Sequence, residues 1–414
     1  MTSTVQNRGR ISGIRLQATA AVVAFAIATL SALVAVPAQA QTYRVLHSFS
    51  GGKKDGENPY SGLVRDAQGN FYGTTFQGGV SNNGTVFKLN KAGKETGLYS
   101  FTGYPSDGAL PTAGLVRDAA GNLYGTTQEG GSDGFGTVFK LDTTGKETVL
   151  YSFTGSTQGD GAYPEAGVIR DAAGNLFGTT SEGGAFNLGA VFKVDATGKE
   201  TVLYSFSGPP TDGASPAAGL TQDATGNLYG TTWQGGASSY GAVFELDTTG
   251  TEKMLYSFLG FPIDGASPTA GLVRDAAGNL YGTTQSGGSD NYGTVFKLDT
   301  MGKESVLHSF AGMGSGDGAT PKFGPMVRDR NGSLYGTTSS GGVHNNGTVF
   351  QLDTAGKERI LHSFAGGTDG SQPYAGLIRD AKGRLYGTTN QGGKYGCCKG
   401  LVFRIQVAPS ATVP

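Results

Sequence analysis

The chain contains seven copies of one unit, each marked by the sequence Tyr/Phe-Gly-Thr-Thr, and the markers follow one another at intervals of 51 to 54 residues. They begin at Tyr72, Tyr124, Phe177, Tyr229, Tyr281, Tyr335 and Tyr386. A fixed period of this length is typical of propellers, solenoids and other arrays, in which each unit covers an apolar face of its neighbour. The unbroken period favours one domain, although the length alone would allow several.

One unit, residues 113–153, predicts a four-stranded antiparallel meander, whose strands we call a to d in chain order. The four runs 114–118, 123–127, 137–141 and 147–153 are short and rich in branched and aromatic residues, as strands are. Turns containing Gly-Asn and Gly-Lys separate a from b and c from d. Such a sheet cannot bury both of its faces alone, but seven sheets stacked around an axis can. The sequence therefore predicts an all-β, seven-bladed β-propeller.

The two ends of the repeat region predict a closed ring. The fourth-strand sequence Ser-Phe occurs seven times, but the Gly-Lys/Thr-Glu turn that joins strands c and d occurs six times. The last unit reaches Ile405 without a fourth strand, and a spare one stands at 43–49. If the spare strand completes the last blade, no sheet edge is left unpaired. An open solenoid would need capping units, and the sequence has none that we recognise.

Residues 1–40 are predicted to be a cleaved signal peptide. Three arginines precede an apolar run over 16–36, and Pro37-Ala-Gln-Ala40 has the small residues that a signal peptidase requires. An uncleaved membrane anchor is the alternative, because about 20 apolar residues can span a bilayer. We expect a propeller domain at 41–405, a short tail at 406–414 and a soluble protein that is secreted or periplasmic.

Composition excludes several classes of function. The chain has 31 basic and 32 acidic residues, and three of the basic ones lie in the predicted signal peptide. The resulting excess of acidic residues argues against nucleic-acid binding. The two cysteines, Cys397 and Cys398, are adjacent, so they form no disulfide framework; free thiols and a strained bond between neighbours both remain open. We expect a monomer with no metal site and no cofactor.

The unit resembles a known bacterial tandem repeat. Its elements Gly-Leu-Val-Arg-Asp, Gly-Asn-Leu-Tyr-Gly-Thr-Thr, Gly-Gly and Gly-Thr-Val-Phe-Lys-Leu are similar to the repeat called GloVer, and the resemblance covers about residues 43–405. It implies an exported propeller that often carries a cell-surface anchor at its C-terminus. This chain departs from that pattern because no anchor sequence follows Ile405. The resemblance implies no reaction.

Binding is expected on the face that carries the d–a and b–c loops, because these loops vary while the a–b and c–d turns repeat with little change. Aromatic side chains there could stack on sugar rings or on apolar peptide side chains. The alternative is that they only cover neighbouring blades. The candidate ligand-binding residues are Phe76, Tyr104, Phe135, Trp233, Tyr240, Phe261, Tyr292, His344 and Tyr395.

An aspartate recurs in every d–a loop, in the motif Asp-Gly-x-x-Pro. The seven are Asp55, Asp107, Asp160, Asp212, Asp264, Asp317 and Asp369. A ring of carboxylates could bind cations or glycan hydroxyls. A structural role is favoured, because aspartate accepts backbone N–H bonds within its own turn and one carboxylate per loop is too sparse for a calcium loop.

The remaining polar positions also favour structural roles. An arginine precedes the aspartate of strand a in six units, and it is expected to form ion pairs rather than to line the channel mouth. His47, His308 and His362 take the place of tyrosines in strand d, which indicates a packing and hydrogen-bonding position rather than a ligand. The last b–c loop, 393–400, is two residues longer than the others and carries both cysteines. Drift beside the closure is favoured there over a redox or ligand role.

Three functional hypotheses follow. The first is a secreted, non-catalytic propeller that binds glycan or protein ligands through the d–a and b–c loops. The second is a hydrolase or lyase acting on polysaccharide or small esters at the channel mouth, which would need two nearby carboxylates, one of them with a raised pKa. The third is a structural envelope protein. No catalytic triad, metal triad or phosphate loop stands in the sequence as a motif, and no catalytic residue is assigned.

Overall fold

The structure, a computed structural model, describes residues 1–2, 42–53, 55–155 and 159–407. Thr42–Val407 form one compact unit. Residues 3–40 of the predicted signal peptide and residues 408–414 of the predicted tail lie outside the described residues, so both segments remain predictions. Within the described residues, no helix has the length and apolarity that crossing a bilayer requires.

Seven four-stranded antiparallel sheets form the blades, and in each sheet the strands lie in the order a, b, c, d. The blades are numbered by their strand a. Strands a are Val64–Arg65, Val116–Arg117, Ile169–Arg170, Thr221–Gln222, Val273–Arg274, Val327–Arg328 and Ile378–Arg379. Strands b are Phe71–Thr75, Leu123–Thr127, Leu176–Thr180, Leu228–Thr232, Leu280–Thr284, Leu334–Thr338 and Arg384–Thr389.

The outer two strands of each blade are longer than strand a. Strands c are Thr85–Leu89, Thr137–Leu141, Ala190–Val194, Ala242–Leu246, Thr294–Leu298, Thr348–Leu352 and Leu401–Gln406. Strands d of blades 1 to 6 are Glu95–Ser100, Glu147–Ser152, Glu200–Ser205, Glu252–Ser257, Glu304–Ser309 and Glu358–Ser363. The predicted fold class, an all-β seven-bladed propeller, is confirmed.

The N-terminal strand completes the last blade, as predicted. Strand d of blade 7 is Thr42–Ser48, and it pairs antiparallel with Leu401–Gln406, so that Tyr43 lies opposite Ile405 and Ser48 opposite Leu401. The sheet of blade 7 therefore joins the two ends of the repeat region, and its strand c is paired on both sides instead of being left as an edge.

The d–a and b–c loops lie on one face, where they pair with each other. Six short two-stranded sheets link the loops: Gly56–Glu57 with Gln77–Gly78, Gly108–Ala109 with Glu129–Gly130, Gly161–Ala162 with Glu182–Gly183, Gly213–Ala214 with Gln234–Gly235, Gly265–Ala266 with Ser286–Gly287, and Gly318–Ala319 with Ser340–Gly341. Ser371 and Gln391 form the corresponding bridge in blade 7. Among the described residues, 3-10 helices lie in the d–a loops at Met313–Ser315 and Gly367–Asp369.

A phenylalanine pair holds each blade to the next. The phenylalanine that follows strand d packs edge-to-face on a phenylalanine in strand c of the following blade, with ring centroids 5.0 to 5.3 Å apart. These rings are almost completely buried, and such aromatic pairs contribute energy beyond the area they bury. The pair Phe49–Phe87 joins blade 7 to blade 1 with the same geometry as the other six.

The marker Tyr-Gly-Thr-Thr has a role in the same interface. The first threonine donates a hydrogen bond to a backbone carbonyl of the next blade, for example from Thr126 to Ala166 at 2.9 Å, and Thr388 donates to Ser61 across the closure. The glycine lies under the strand c phenylalanine: a Cβ atom at Gly125 would stand 2.9 Å from the Phe139 ring. The repeated motif is therefore explained by close packing between strands and blades.

Glycines also line the axis of the ring, where strands a begin. A Cβ atom on Gly167 would lie 2.7 Å from the carbonyl oxygen of Gly114, whereas a Cβ atom on Gly219 would lie 3.9 Å from the equivalent oxygen of Gly167. Only the first of these distances is a clash.

We expect Gly167→Ala to lower the free energy of unfolding by about 1–3 kcal/mol, because the new methyl group overpacks the axis. Gly219→Ala, at the same position of the next blade, is the matched control and should change it by less than about 0.5 kcal/mol. Equilibrium denaturation of both variants measures the difference. Equal losses in the two variants would contradict the expected crowding at Gly167.

Candidate functional site

The candidate site lies at the mouth of the central channel, on the face with the d–a and b–c loops. The position after the proline of each Asp-Gly-x-x-Pro motif is occupied by Tyr60, Thr112, Glu165, Ala217, Thr269, Lys322 and Tyr374. The side chains of this series differ from blade to blade although the motif around them is fixed. Four of its members line the axial cavity, which has a volume of about 240 Å³: Tyr60, Thr112, Glu165 and Ala217.

The backbone directs this position toward the axis. The residue before the proline has a positive φ in every blade, as in Tyr163 at 55°. Its N–H donates to the carbonyl of Phe135 in the preceding blade, and its own carbonyl accepts the N–H of Ser181 in its own blade. Residues other than glycine rarely adopt this conformation, so it is held by hydrogen bonds on both sides. The following Pro164 and Glu165 are thereby fixed in place.

Aromatic rings cluster on one side of the mouth. The ring centroid of Tyr60 is 4.9 Å from that of Phe76 and 5.2 Å from that of Tyr374. Phe323 meets Tyr374 edge-on at 6.2 Å, and the Lys322 ammonium lies 4.8 Å from the Tyr374 centroid. Burial raises the pKa of both tyrosines and lowers the pKa of Lys322. The cluster offers an apolar platform beside one cation.

An extra residue in blade 6 brings Phe323 over the mouth. The interval from the motif aspartate to the strand a aspartate is one residue longer in this blade than in the others, because Lys322 and Phe323 stand where other blades have one residue. Phe323 lines a pocket of about 210 Å³ together with Tyr60, Phe76, Thr112, Gln128 and Glu165, which belong to blades 1, 2 and 3.

Glu165 provides the charge in this pocket. Its Oε1 accepts long hydrogen bonds from Gln128 Nε2 at 3.3 Å and from Ser181 Oγ at 3.4 Å, while Thr112 donates to its backbone carbonyl. Burial raises the pKa of Glu165, and the neighbouring Glu182 raises it further. The pocket therefore combines stacking rings with a carboxylate and an amide whose hydrogen bonds are weak enough to be exchanged for a ligand.

The structure places the predicted aromatic candidates in three different settings. Phe76 lies in the mouth pocket, and Trp233, half-exposed, occupies the same position of blade 4. Phe135, Tyr240 and Tyr292 lie over a glycine of the next d–a loop, namely Gly155, Gly260 and Gly312. The others are exposed on the b–c and d–a loops: Tyr104, Phe261, His344 and Tyr395.

The sequence-based candidates include Phe76 but miss the other five residues of the mouth pocket and the adjacent Tyr374; the five are Tyr60, Thr112, Gln128, Glu165 and Phe323. For Tyr60, Thr112, Glu165 and Tyr374 the signal that could have found them is the variable position after the motif proline, and for Phe323 it is the extra residue in blade 6. Loop variability and aromatic content instead favoured residues of the outer loops.

The motif aspartates make their contacts within their own loops. Asp107, for instance, accepts hydrogen bonds from the backbone N–H groups of Thr102 and Gly108 and from the hydroxyl of Tyr99. Four of the seven are buried: Asp107, Asp160, Asp212 and Asp264. These contacts leave them away from the mouth pocket.

Five of the six strand a arginines stack on tyrosines of the preceding blade, whereas Arg65 lies over Phe71 of its own blade. Arg117 lies 5.8 Å from the ring centroid of Tyr72, and Arg170 lies 5.5 Å from that of Tyr124. Arg379 also approaches Asp329 at 3.8 Å. These cation–π contacts hold adjacent blades together.

A second polar cluster recurs between the outer strands of adjacent blades. It joins the strand d tyrosine or histidine and the motif aspartate to the glutamate at the start of the next strand d, as in Tyr99, Asp107 and Glu147. Burial, then the charge of the aspartate, raises the pKa of Glu147, Glu200, Glu252 and Glu304 to about 7. At the closure Tyr43 stands in place of the glutamate, donates to the carbonyl of Asp369 and stacks on His362 at 4.0 Å.

The long b–c loop of blade 7 docks on blade 1. Asn58 donates to the carbonyls of Lys399 and Cys398, and the Lys399 ammonium pairs with Glu57. Cys397 and Cys398 are exposed free thiols whose sulfur atoms lie 2.9 Å apart. The loop thus belongs structurally to the seam where the ring closes.

A family model described as the Gloeobacter/Verrucomicrobia repeat matches three overlapping segments of the chain, residues 30–225, 156–332 and 277–413. No curated protein matches the chain in sequence.

Among solved structures, the extracellular domain assigned to the one component system BT4673 of B. thetaiotaomicron aligns with a TM-score of 0.56 at 8% identity, over 89% of this chain and 40% of that one. The extracellular domain of the hybrid two component system BT3049 of the same organism aligns with a TM-score of 0.54 at 14% identity, over 87% and 41%. The chain thus spans about two fifths of the length of these domains, and the likeness shows the fold alone.

The gluconolactonase XC5397 of Xanthomonas campestris aligns over 89% of this chain and 90% of its own length, with a TM-score of 0.43 at 13% identity. A score at this level carries no argument about function.

Proposed function

The chain belongs to the Gloeobacter/Verrucomicrobia repeat family, and from that premise we propose that it is an extracytoplasmic propeller that binds a glycan at the channel mouth without catalysing a reaction. The proposal rests on one observation: at the mouth pocket the residues differ between blades, although the motif around them is repeated. All seven blades could have kept one residue at the position after the proline, yet the chain places Tyr60, Glu165 and Tyr374 there in three of them and adds Phe323 in blade 6.

The chemistry of the pocket suits a sugar ring. Tyr60 and Phe76 present apolar ring faces to the C–H groups of a pyranose, and Glu165 and Gln128 offer hydrogen bonds to its hydroxyls. A volume of about 210 Å³ is small beside the roughly 300–1,000 Å³ of drug-sized sites, so we expect one terminal sugar to enter while the rest of the chain lies on the rim. The extracellular placement of the B. thetaiotaomicron domains supports a site that faces an external ligand.

Glycan-array binding tests this proposal. We expect Tyr60→Ala to lower the affinity for the bound glycan at least tenfold, because the stacking platform is lost. A Trp233→Ala and Tyr240→Ala double variant, on the other side of the face, separates the mouth from the rim, and Lys146→Ala on the opposite face is the control. Loss of binding in the double variant alone would move the site to the rim. Absence of binding to any glycan would reject the glycan ligand and favour a protein ligand or a structural role.

The raised pKa of Glu165 supports an alternative, a hydrolase acting on polysaccharide or small esters. Glu165 would then be the general acid, with Glu182 as the neighbouring carboxylate. Glu165→Gln separates the two proposals: an enzyme would lose turnover by orders of magnitude while it still bound substrate, whereas a binding protein has no turnover to lose. Release of reducing ends or of ester products is the measurement.

A further inference from the structure

One of the polar clusters between blades has the composition of a metal site. His308, Asp317 and Glu358 bring one imidazole nitrogen and two carboxylate oxygens within 4.8 Å of one another. They belong to strand d of blade 5, to the loop that follows it, and to strand d of blade 6. We propose that this cluster binds a divalent transition-metal ion of the zinc type.

The cluster differs from its neighbours by one side chain. In four other interfaces the same position holds a tyrosine whose hydroxyl donates to the motif aspartate, as Tyr256 does to Asp264 at 2.8 Å. A neutral phenol fills that space with a proton donor, whereas an imidazole nitrogen can bind a metal directly. The four interfaces with tyrosine therefore have the aspartate and glutamate carboxylates but lack the imidazole nitrogen.

The three side chains are oriented for a shared ion. Asp317 Oδ2 lies 3.2 Å from His308 Nε2 and also accepts the N–H of Ala311, so its position is fixed. Glu358 Oε1 is buried and has no hydrogen-bond partner. Phe310 packs edge-on against the His308 ring at 4.8 Å and limits its rotation.

Zinc is the class of ion that this set of donors favours. One imidazole and two carboxylates form a three-ligand set that leaves a fourth position for water. Ligands about 2 Å from zinc stand roughly 3.3 Å apart, so closure from 4.8 Å requires a shift of up to about 1.5 Å, which rotation of Glu358 can supply. The side chains of His308 and Asp317 are 19% and 12% exposed, which leaves an entry path from solvent.

The other two strand d histidines lie in clusters that do not bring a complete set of three metal ligands together. His47 Nε2 stays 3.8 Å from Asp55 Oδ1, and His47, Asp55 and Glu95 do not bring three ligand atoms within 4.8 Å of one another. His362 meets Asp369 at 3.1 Å, but Tyr43 occupies the place of the glutamate. The blade 5 to blade 6 interface therefore brings one atom of each of the three ligands within 4.8 Å of the others.

Calorimetric titration with zinc chloride tests the proposal in the full propeller. Cys397→Ser and Cys398→Ser are introduced first, because two exposed thiols would also take up zinc. We expect this protein to bind one zinc ion, and His308→Tyr to lose that equivalent while keeping its fold, since four interfaces already carry the tyrosine. Glu358→Gln should weaken binding at least tenfold.

A gain-of-binding variant completes the test. Tyr256→His places an imidazole beside Asp264 and Glu304, the same pair of carboxylates one interface earlier, and it should add a second zinc equivalent. Zinc should also raise the Tm of the parent protein but not that of His308→Tyr. Equal stoichiometry and affinity in the parent and in His308→Tyr would overturn the proposal, as would the absence of any zinc binding by the parent.

Discussion

Phe49→Ala is expected to cost about 3–5 kcal/mol of the free energy of unfolding, as much as the equivalent substitution inside the ring. Phe49 is fully buried, and its ring meets Phe87 of blade 1 with the geometry that Phe153 has with Phe192 between blades 2 and 3. A terminal strand that only rested on the fold would lose much less. Because the ring is closed, the first strand bears the same interface energy as any other.

The experiment compares Phe49→Ala with Phe153→Ala by equilibrium denaturation. Agreement within about 1 kcal/mol is the expected result, and an exposed substitution in strand d, Thr148→Ala, should stay within about 0.5 kcal/mol of the parent. A loss at Phe153 without one at Phe49 would mean that the N-terminal strand does not close the ring in solution. Hydrogen exchange at strand c of blade 7 provides an independent readout.

The second large effect is a loss of stability as the pH rises from 5 to 8. In the folded protein the pKa of Glu147, Glu200, Glu252 and Glu304 is about 7, against 4.5 as the ordinary value. The folded state therefore retains protons that the unfolded state has released, and this stability is fully present below pH 4.5 and lost as the pH passes 7. The aspartates with lowered pKa act in the opposite direction, but only below about pH 4.

Because these glutamates are only about half-buried, solvent screening reduces each contribution to about 1 kcal/mol, or about 4 kcal/mol for the four together. Replacing all four by glutamine keeps a neutral side chain at every pH. The variant should lose most of the slope between pH 5 and 8, because only Glu95 and Glu358 of this series keep a pKa of about 7, and it should be more stable than the parent at pH 8. Denaturation in metal-free buffer at each pH measures the slope, with Glu129→Gln, an exposed glutamate, as the control. Parallel slopes in parent and variant would contradict the expected burial effect.

The fold could be predicted from the sequence because the same pattern of strands and turns recurs in seven units. Alternating apolar residues indicated the strands, and the unequal counts of strand d and of its preceding turn indicated the closure. Each of these is a local pattern, and blade number follows from counting. The exact strand bounds needed the structure, since strand a proved to be only two residues long, as in Val116–Arg117.

The site was harder to predict because it depends on contacts between distant residues. Phe323 reaches a pocket formed by blades 1 to 3 only after the ring has closed and a single extra residue has shifted its backbone. Periodicity carries no information about which loops meet over the axis. The candidate aromatics of the outer loops, such as Tyr104 and Tyr395, were selected by loop variability, and their role remains a prediction.

The proposed zinc cluster was also hard to predict, because its residues lie far apart along the chain. In the sequence, His308 takes the place of the tyrosine that other units have in strand d. This substitution favoured a packing role over a role as a metal ligand. The glutamate that completes the set lies 50 residues away, in the strand d of the next blade. A repeat analysis compares equivalent positions, whereas a ligand set combines different positions of neighbouring units.

Phe323, which the extra residue of blade 6 brings over the mouth, also affects the number of orientations in which a ligand can bind. A perfectly seven-fold mouth would offer the same contacts in seven rotational poses, which would favour binding by about 1 kcal/mol through degeneracy but would leave the ligand without a defined orientation. One ring over the axis and one carboxylate opposite it, Glu165, leave a single preferred pose. The pseudo-symmetric scaffold can therefore hold its ligand in one direction, so that whatever extends from the bound group leaves the propeller over the same blade each time.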